Sequence, residues 1–178
     1  MIEDVITKLE DYGILDNTYI FYSSDNGYHI SQHRLEPGKG CGFEEDINVP
    51  LIVRGPGVPE GEVHELSSSH VDLAPTFFDI LGLPLRDDFD GVPIPLKSEQ
   101  MEEARTSGKS SEHVQTEYWS KKPEGEYNGE AVEVGNTFKG LRIVNENYGF
   151  YYQVWCGGDH ELYDMKVRSR WKLTGTPN

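Results

Sequence analysis

Basic side chains are scarce in this sequence, with 16 Lys and Arg against 31 Asp and Glu over 178 residues, a formal net charge of −15. Such a surface repels phosphate backbones, so no nucleic-acid partner is expected. Long apolar runs are also missing. No stretch of about 18 apolar residues occurs, and without one no bilayer-spanning helix and no membrane partner is expected. The opening MIEDVITKLEDYG is acidic and amphipathic, without the basic region and apolar core of a signal peptide. There are two cysteines, Cys41 and Cys156. They fit either one disulfide or two thiols, and the count selects no compartment. Asn-x-Ser/Thr acceptors are absent, which disfavours a glycoprotein segment. The length suits one domain, or one with a small appendage, and is enough to bury a core.

What is present divides at about residue 96. Ile2, Val5, Ile6 and Leu9 recur at i, i+3, i+4 and i+7, which predicts an amphipathic helix closing near Gly13. A strand follows over residues 18–23 and a second over 49–53, and helix then strand is half of a βαβ unit. A further helix is predicted over residues 72–81, with Leu73, Phe77, Phe78 and Leu81 inward and Gly82 closing it. Residues 97–112 are charged and Ser-rich without an apolar period, and read as a linker or solvated loop. Beyond it, residues 114–119, 137–144 and 149–156 are β-branched and aromatic runs. Turn signals at Glu126–Gly129 and Asn145–Asn147 separate them, and a small antiparallel sheet is expected.

Between the first two strands lies a polar, Gly-rich loop of functional length. Asp25 and Asn26, just after the first strand, offer a carboxylate and an amide oxygen, the hard donors that Ca²⁺ or Mg²⁺ prefers. In open α/β sheets ligands collect beyond strand ends, so their position suits a site. Asp-Asn-Gly is equally an ordinary turn, and two ligands cannot hold an ion alone. Lys39, between two glycines, can reach an anion or simply be solvated. The nucleotide loop Gly-x-x-x-x-Gly-Lys-Ser/Thr is excluded, because His33 and Gly40 occupy its Gly and Ser/Thr places. His29 and His33 stand four apart. The zinc-protease word needs Glu after the first His, where Ile30 stands, so a supporting or substrate-facing role outweighs metal ligation. Arg34, Glu44, Glu45 and Asp46 are expected to brace the loop through ion pairs.

In order, Ser24-Asp25-Asn26-Gly27, Gln32-His33-Arg34, Pro37-Gly38-Lys39 and Glu44-Glu45-Asp46-Ile47 lead into Val49-Pro50-Leu51-Ile52-Val53-Arg54-Gly55-Pro56-Gly57. Val71–Thr76, Asp90-Gly91 and His160–Asp164 follow. This series resembles the sulfatase family, in the branch of arylsulfatases and N-acetylglucosamine-6-sulfatases. The resemblance covers most of the chain and thins after Leu96. It implies part of an alkaline-phosphatase-like α/β sandwich over residues 1–96, then the 97–112 loop, then a small antiparallel-sheet subdomain over 113–178. It also implies Asp25 and Asn26 as Ca²⁺ ligands, with Mg²⁺ the alternative. Lys39 is implied as the sulfate contact, and Asp25 in addition as an aid in deprotonating the attacking hydroxyl. The implied substrate is a sulfated small molecule or glycan.

Sulfatases carry a Cys-x-Pro-x-Arg or Ser-x-Pro-x-Arg motif whose first residue becomes formylglycine, the nucleophile. It does not occur here, since Gly42-Phe43 follows Cys41 and Gly157-Gly158 follows Cys156. The chain therefore reads as the carboxy-terminal part of a sulfatase, a sulfuric ester hydrolase expected to be inactive by itself, with formylglycine in a segment preceding it. Two rivals stay open: a phosphate or phosphonate ester hydrolase of the alkaline phosphatase superfamily, and a non-catalytic sulfatase-like fragment or binding module. The resemblance selects no compartment, since the family has secreted, lysosomal and other intracellular members.

Overall fold

In the computed structural model the described residues are 1–64, 66–107, 112–119, 137–145, 147–167 and 171–172. They form two compact units. The first is Met1–Ser23, Pro50–His64 and His70–Lys109, and the second is Ser24–Val49, Glu65–Ser69 and Ser110–Asn178.

The first unit contains α1 (Ile2–Asp11), β1 (Ile20–Tyr22), β2 (Ile52–Arg54), α3 (Leu73–Ile80) and α4 (Ser98–Ser107). Both α1 and α3 end as their sequences predict. Gly13 and Gly82 have φ of +65°, a conformation without penalty only for glycine. Around them the Gly13 and Ile14 amides donate to Glu10 and Leu9 carbonyls, and the Gly82 and Leu83 amides to Asp79 and Phe78. This pair of bonds is the Schellman stop.

β1 and β2 pair antiparallel, Phe21 opposite Val53, and form a two-stranded sheet rather than neighbours in a βαβ crossover. Phe21 meets Phe77 of α3 edge-on, with ring centroids 5.1 Å apart. Two strands cover little. Phe77 and Leu81, expected inward, are exposed, and the buried residues of α3 are Pro75 and Thr76. Thr76 Oγ1 donates to the Asp72 carbonyl and accepts from the Ile94 amide, tying the 91–96 segment to α3.

Ser98–Ser107 is a helix, where the sequence reading has a linker or solvated loop. Its start is stabilised by a polar cap that apolar periodicity does not register. The Gln100 side-chain oxygen accepts the Leu96 and Lys97 amides, and Met101 is buried.

The second unit is a five-stranded antiparallel sheet in the order β3 (His113–Tyr118), β4 (Phe138–Val144), β5 (Gly149–Trp155), β6 (His160–Asp164) and β7 (Trp171–Lys172). The expected antiparallel sheet is thus present, with β6 and β7 beyond the three predicted runs. The turn signal Glu126–Gly129 lies outside the described residues. Alternation on β4 and β5 buries one face. Phe138 and Tyr151 are each 2 % exposed and Gln153 is fully buried. The partner of that face is the loop 24–49, which carries the short helix α2 (Glu44–Ile47).

Candidate active site

All five residues singled out by sequence, Asp25, Asn26, His29, His33 and Lys39, lie in this loop and so in one unit with the sheet. Three attachments pin the loop to the sheet. The Arg142 guanidinium on β4 pairs with the Glu44 carboxylate, whose other oxygen accepts from Asn48 Nδ2 at 2.8 Å. Phe43 meets Trp155 of β5 with centroids 6.0 Å apart. The third is Gly40, at φ +100°, where a Cβ would stand 3.0 Å from the Tyr118 hydroxyl.

Asp25 and Asn26 form a self-bonded turn. Asp25 Oδ1 accepts the Asn26 amide at 3.0 Å, and Ser24 Oγ donates to the Asn26 carbonyl at 2.7 Å. Asn26 Nδ2 donates to the Gly27 carbonyl at 2.8 Å, which commits its nitrogen and leaves Oδ1 as the side chain's ligand atom. Gly27 holds this turn against α2. Its amide donates to the Asp46 carbonyl at 2.8 Å, and a Cβ there would stand 1.8 Å from the Glu45 carbonyl oxygen. Only glycine fits this approach. The exposed Asp25 carboxylate and the Asn26 amide oxygen thus suit a hard divalent cation as two of the six to eight oxygens it takes.

Lys39 is half-buried, its backbone set by two neighbours. On one side Gly38 exchanges amide–carbonyl bonds of 2.9 and 3.0 Å with His29, and on the other Gly40 rests on Tyr118. Among the described residues no hydrogen bond or ion pair joins Lys39 to Asp25, Asn26 or either histidine.

The two histidines have separate partners. His33 stacks on Phe43, centroids 3.9 Å apart, and its Nε2 lies 3.3 Å from Glu45 Oε2. It sits in a left-handed stretch, with φ of 77° at Ser31, 55° at His33 and 61° at Arg34. Non-glycine residues hold that conformation at a cost of about 1–3 kcal/mol each, and such strain clusters at functional sites. His29 is buried, its Nδ1 2.8 Å from Asp46 Oδ1, while Asp46 Oδ2 accepts the Cys41 amide at 2.9 Å. Cys41 Sγ lies 3.7 Å from the same Nδ1. Burial above all, then the hydrogen bond to Asp46, pushes the Cys41 thiol up to about 12, so it stays protonated. Burial also pushes the Tyr151 and Tyr163 phenols upward, the latter helped by its hydrogen bond to Glu161.

Sequence reasoning places Arg34, Glu44, Glu45 and Asp46 as braces; the three carboxylates each have a cationic or imidazole partner, Arg142, His33 and His29, whereas no ion pair is formed by Arg34 among the described residues. It misses Cys41 as a neighbour of His29, and Tyr118 and Arg142 as the loop's supports. The latter contacts join residues tens of positions apart, which no local pattern encodes.

A family model described as sulfatase matches residues 1–83. The chain is 45% identical to the sulfatase ppz1 of Metarhizium majus over 99% of its own length and 35% of that protein. It is 34% identical to an arylsulfatase of Chlamydomonas reinhardtii, over 93% of this chain and 28% of the relative. The human N-acetylglucosamine-6-sulfatase matches 52% of the chain at 43% identity, over 17% of that protein. The chain therefore spans about a third or less of the length of these relatives. Among solved structures, one of a protein in complex with its substrate D-glucosamine-2-N,6-O-disulfate superposes with a TM-score of 0.73. It is 29% identical, over 93% of this chain and 31% of that one. A phosphonate monoester hydrolase from Silicibacter pomeroyi shares the fold at a TM-score of 0.67 and 20% identity, over 94% of this chain and 32% of that one.

Proposed function

The chain belongs to the sulfatase family over residues 1–83, and on that premise we propose that it supplies part of the active site of a sulfuric ester hydrolase. The observation that carries the reading is the 45% identity to a named sulfatase over 99% of the chain. The substrate class is a sulfated small molecule or glycan, supported by the sulfated glucosamine bound to the 29% identical solved relative.

In this reading Asp25 and Asn26 contribute two oxygen ligands to a Ca²⁺ ion, with Mg²⁺ the alternative. Such an ion supplies Lewis-acid polarisation of the sulfate oxygens. The self-bonded turn and the fixed Gly27 hold both ligand atoms before any ion arrives. Lys39 places an ammonium against the sulfate and offsets negative charge that grows on its oxygens in the transition state. A half-buried cation between two constrained glycines is pre-positioned for that work, which lowers the reorganisation needed at reaction. Asp25 additionally aids deprotonation of the attacking hydroxyl. His29 and His33 act as supports, the first by linking the 29–38 pairing to Asp46 and the second by stacking on Phe43. The nucleophile, a formylglycine, comes from a segment of the complete protein outside these 178 residues.

The test has two arms. The chain purified alone is expected to release no sulfate from an aryl sulfate above background, because the Cys-x-Pro-x-Arg or Ser-x-Pro-x-Arg motif that supplies the nucleophile does not occur in it. The complete gene product is expected to do so, and Lys39→Ala in it to lower kcat about 10²–10³-fold, the usual cost of one transition-state donor. Unchanged turnover in Lys39→Ala would remove the lysine from the site.

A further inference from the structure

Beneath the loop surface converge three side chains to which the reading above gives no contact with substrate or with the Ca²⁺ ion. His29, Cys41 and Asp46 are 5 %, 7 % and 5 % exposed, and their ligand-capable atoms all lie within 4.8 Å of one another. They bring three donor types together: an imidazole nitrogen, a thiol sulfur and a carboxylate oxygen. Such a mixture suits borderline-soft cations such as Zn²⁺ and Co²⁺, and is the wrong set for Ca²⁺ or Mg²⁺. The spacing also fits. Bonds of about 2.0–2.3 Å in a tetrahedral zinc site put neighbouring ligand atoms roughly 3.3–3.6 Å apart. Cys41 Sγ to His29 Nδ1 is 3.7 Å, already near that separation. The 2.8 Å between His29 Nδ1 and Asp46 Oδ1 is a hydrogen bond, and has to open by about half an ångström when an ion takes the proton's place. The outer support is present too. Asp46 Oδ2 accepts the Cys41 backbone amide at 2.9 Å, so the carboxylate is held by the residue that supplies the sulfur.

We propose that His29, Cys41 and Asp46 form a three-ligand site for a zinc-class divalent cation, separate from the hard-oxygen pair Asp25 and Asn26. In this structure its atoms are joined by hydrogen bonds. On loading, the Cys41 S–H breaks, its proton leaves to solvent and the sulfur binds as thiolate. The neutral imidazole binds through Nδ1, its proton moving to Nε2. One proton is released per ion and no oxidant or reductant is involved. An ion there would cross-link Asp46 of α2 to His29 and Cys41, on either side of Lys39. The proposal does not depend on sulfatase activity.

Cobalt titration of the Cys156→Ser chain tests this. Cys41 is then the sole thiol, and Cys156 is exposed, so the change leaves the core intact. We expect saturation at one equivalent, with a thiolate-to-cobalt charge-transfer band and the visible absorption of a four-coordinate ion. His29→Gln in that background is expected to weaken binding at least ten-fold, whereas Asp25→Ala leaves the bands in place. Circular dichroism verifies folding of each variant. Absence of a thiolate–cobalt band in the folded Cys156→Ser chain overturns the proposal, as does a band that His29→Gln leaves unchanged. A band lost in Asp25→Ala would instead trace the cobalt to the hard-oxygen pair and overturn it equally.

Discussion

A Cβ at residue 27 would stand 1.8 Å from the Glu45 carbonyl oxygen, a backbone atom that cannot swing aside. Gly27→Ala must therefore push the Asp25–Asn26 turn away from α2. The expected loss is about 1–3 kcal/mol, typical of an overpacked site, read as a lower urea midpoint with an unchanged slope. The buried thiol and phenols give a second residue-scale prediction. Cys41, ordinarily near 9.0, is held up at about 12 in the folded chain, so the unfolded chain loses that proton first as pH rises. Stability from this group is fully present below pH 9 and falls as pH climbs towards 12, by at most ~1.4 kcal/mol per pH unit. Tyr151 and Tyr163, also pushed upward, act with the same sign. Alkaline unfolding above pH 9, followed by circular dichroism, is expected to be shallower in Cys41→Ser. An equally steep loss in that variant would assign the transition to other groups.

At the scale of elements, the loop owes its place to α2 and β4. Arg142 is the cation facing the buried Glu44 carboxylate, so Arg142→Ala leaves that charge unpaired. Breaking a buried pair from one side costs about 3–5 kcal/mol, reduced in this case because Arg142 is partly exposed. The expected result is a loss of about 2–3 kcal/mol, together with faster amide exchange over residues 44–47. Loss of stability without that local exchange would place the effect in the sheet alone. The elements differ in how far the sequence announces them. The ends of α1 and α3 are legible because Gly13 and Gly82 mark Schellman stops. The strands of the second unit are legible because β-branched and aromatic residues alternate between turn signals. By contrast α4 is hidden, since its start rests on Gln100 rather than on an apolar stripe. The inward face expected for α3 fails at Phe77 and Leu81 because periodicity reports which side is apolar, not whether anything covers it. In the candidate site, Asp25, Asn26 and Lys39 are picked out by the order of motifs that resembles the sulfatases, whereas residue type alone fits an ordinary turn and a solvated lysine equally well. The His29–Asp46–Cys41 cluster is not picked out, because the loop's fold and not the sequence interval brings those atoms together.

On the scale of the whole molecule the two units differ in how they bury their strands. The first holds a two-stranded sheet and an α1 with no buried residue, and leaves Ile2, Val5, Ile52 and Leu81 exposed. A two-stranded sheet is marginal in water, whereas five strands with a covered face are not. Hydrogen exchange of the chain alone is therefore expected to protect β4 and β5 strongly and β1 and β2 weakly. Equal protection would show that the first unit is stabilised by something other than its own contacts. The relatives this chain matches are about three or more times longer, and the activity proposed above belongs to the complete protein. The direct test is to assay the complete gene product, unaltered and as Lys39→Ala, on matched aryl sulfate, aryl phosphate and phosphonate monoester substrates. Turnover of the sulfate ester is expected to exceed that of the other two, with kcat falling about 10²–10³-fold in Lys39→Ala. Preferential turnover of the phosphonate or phosphate ester, or no sulfate ester turnover at all, would contradict the sulfatase reading.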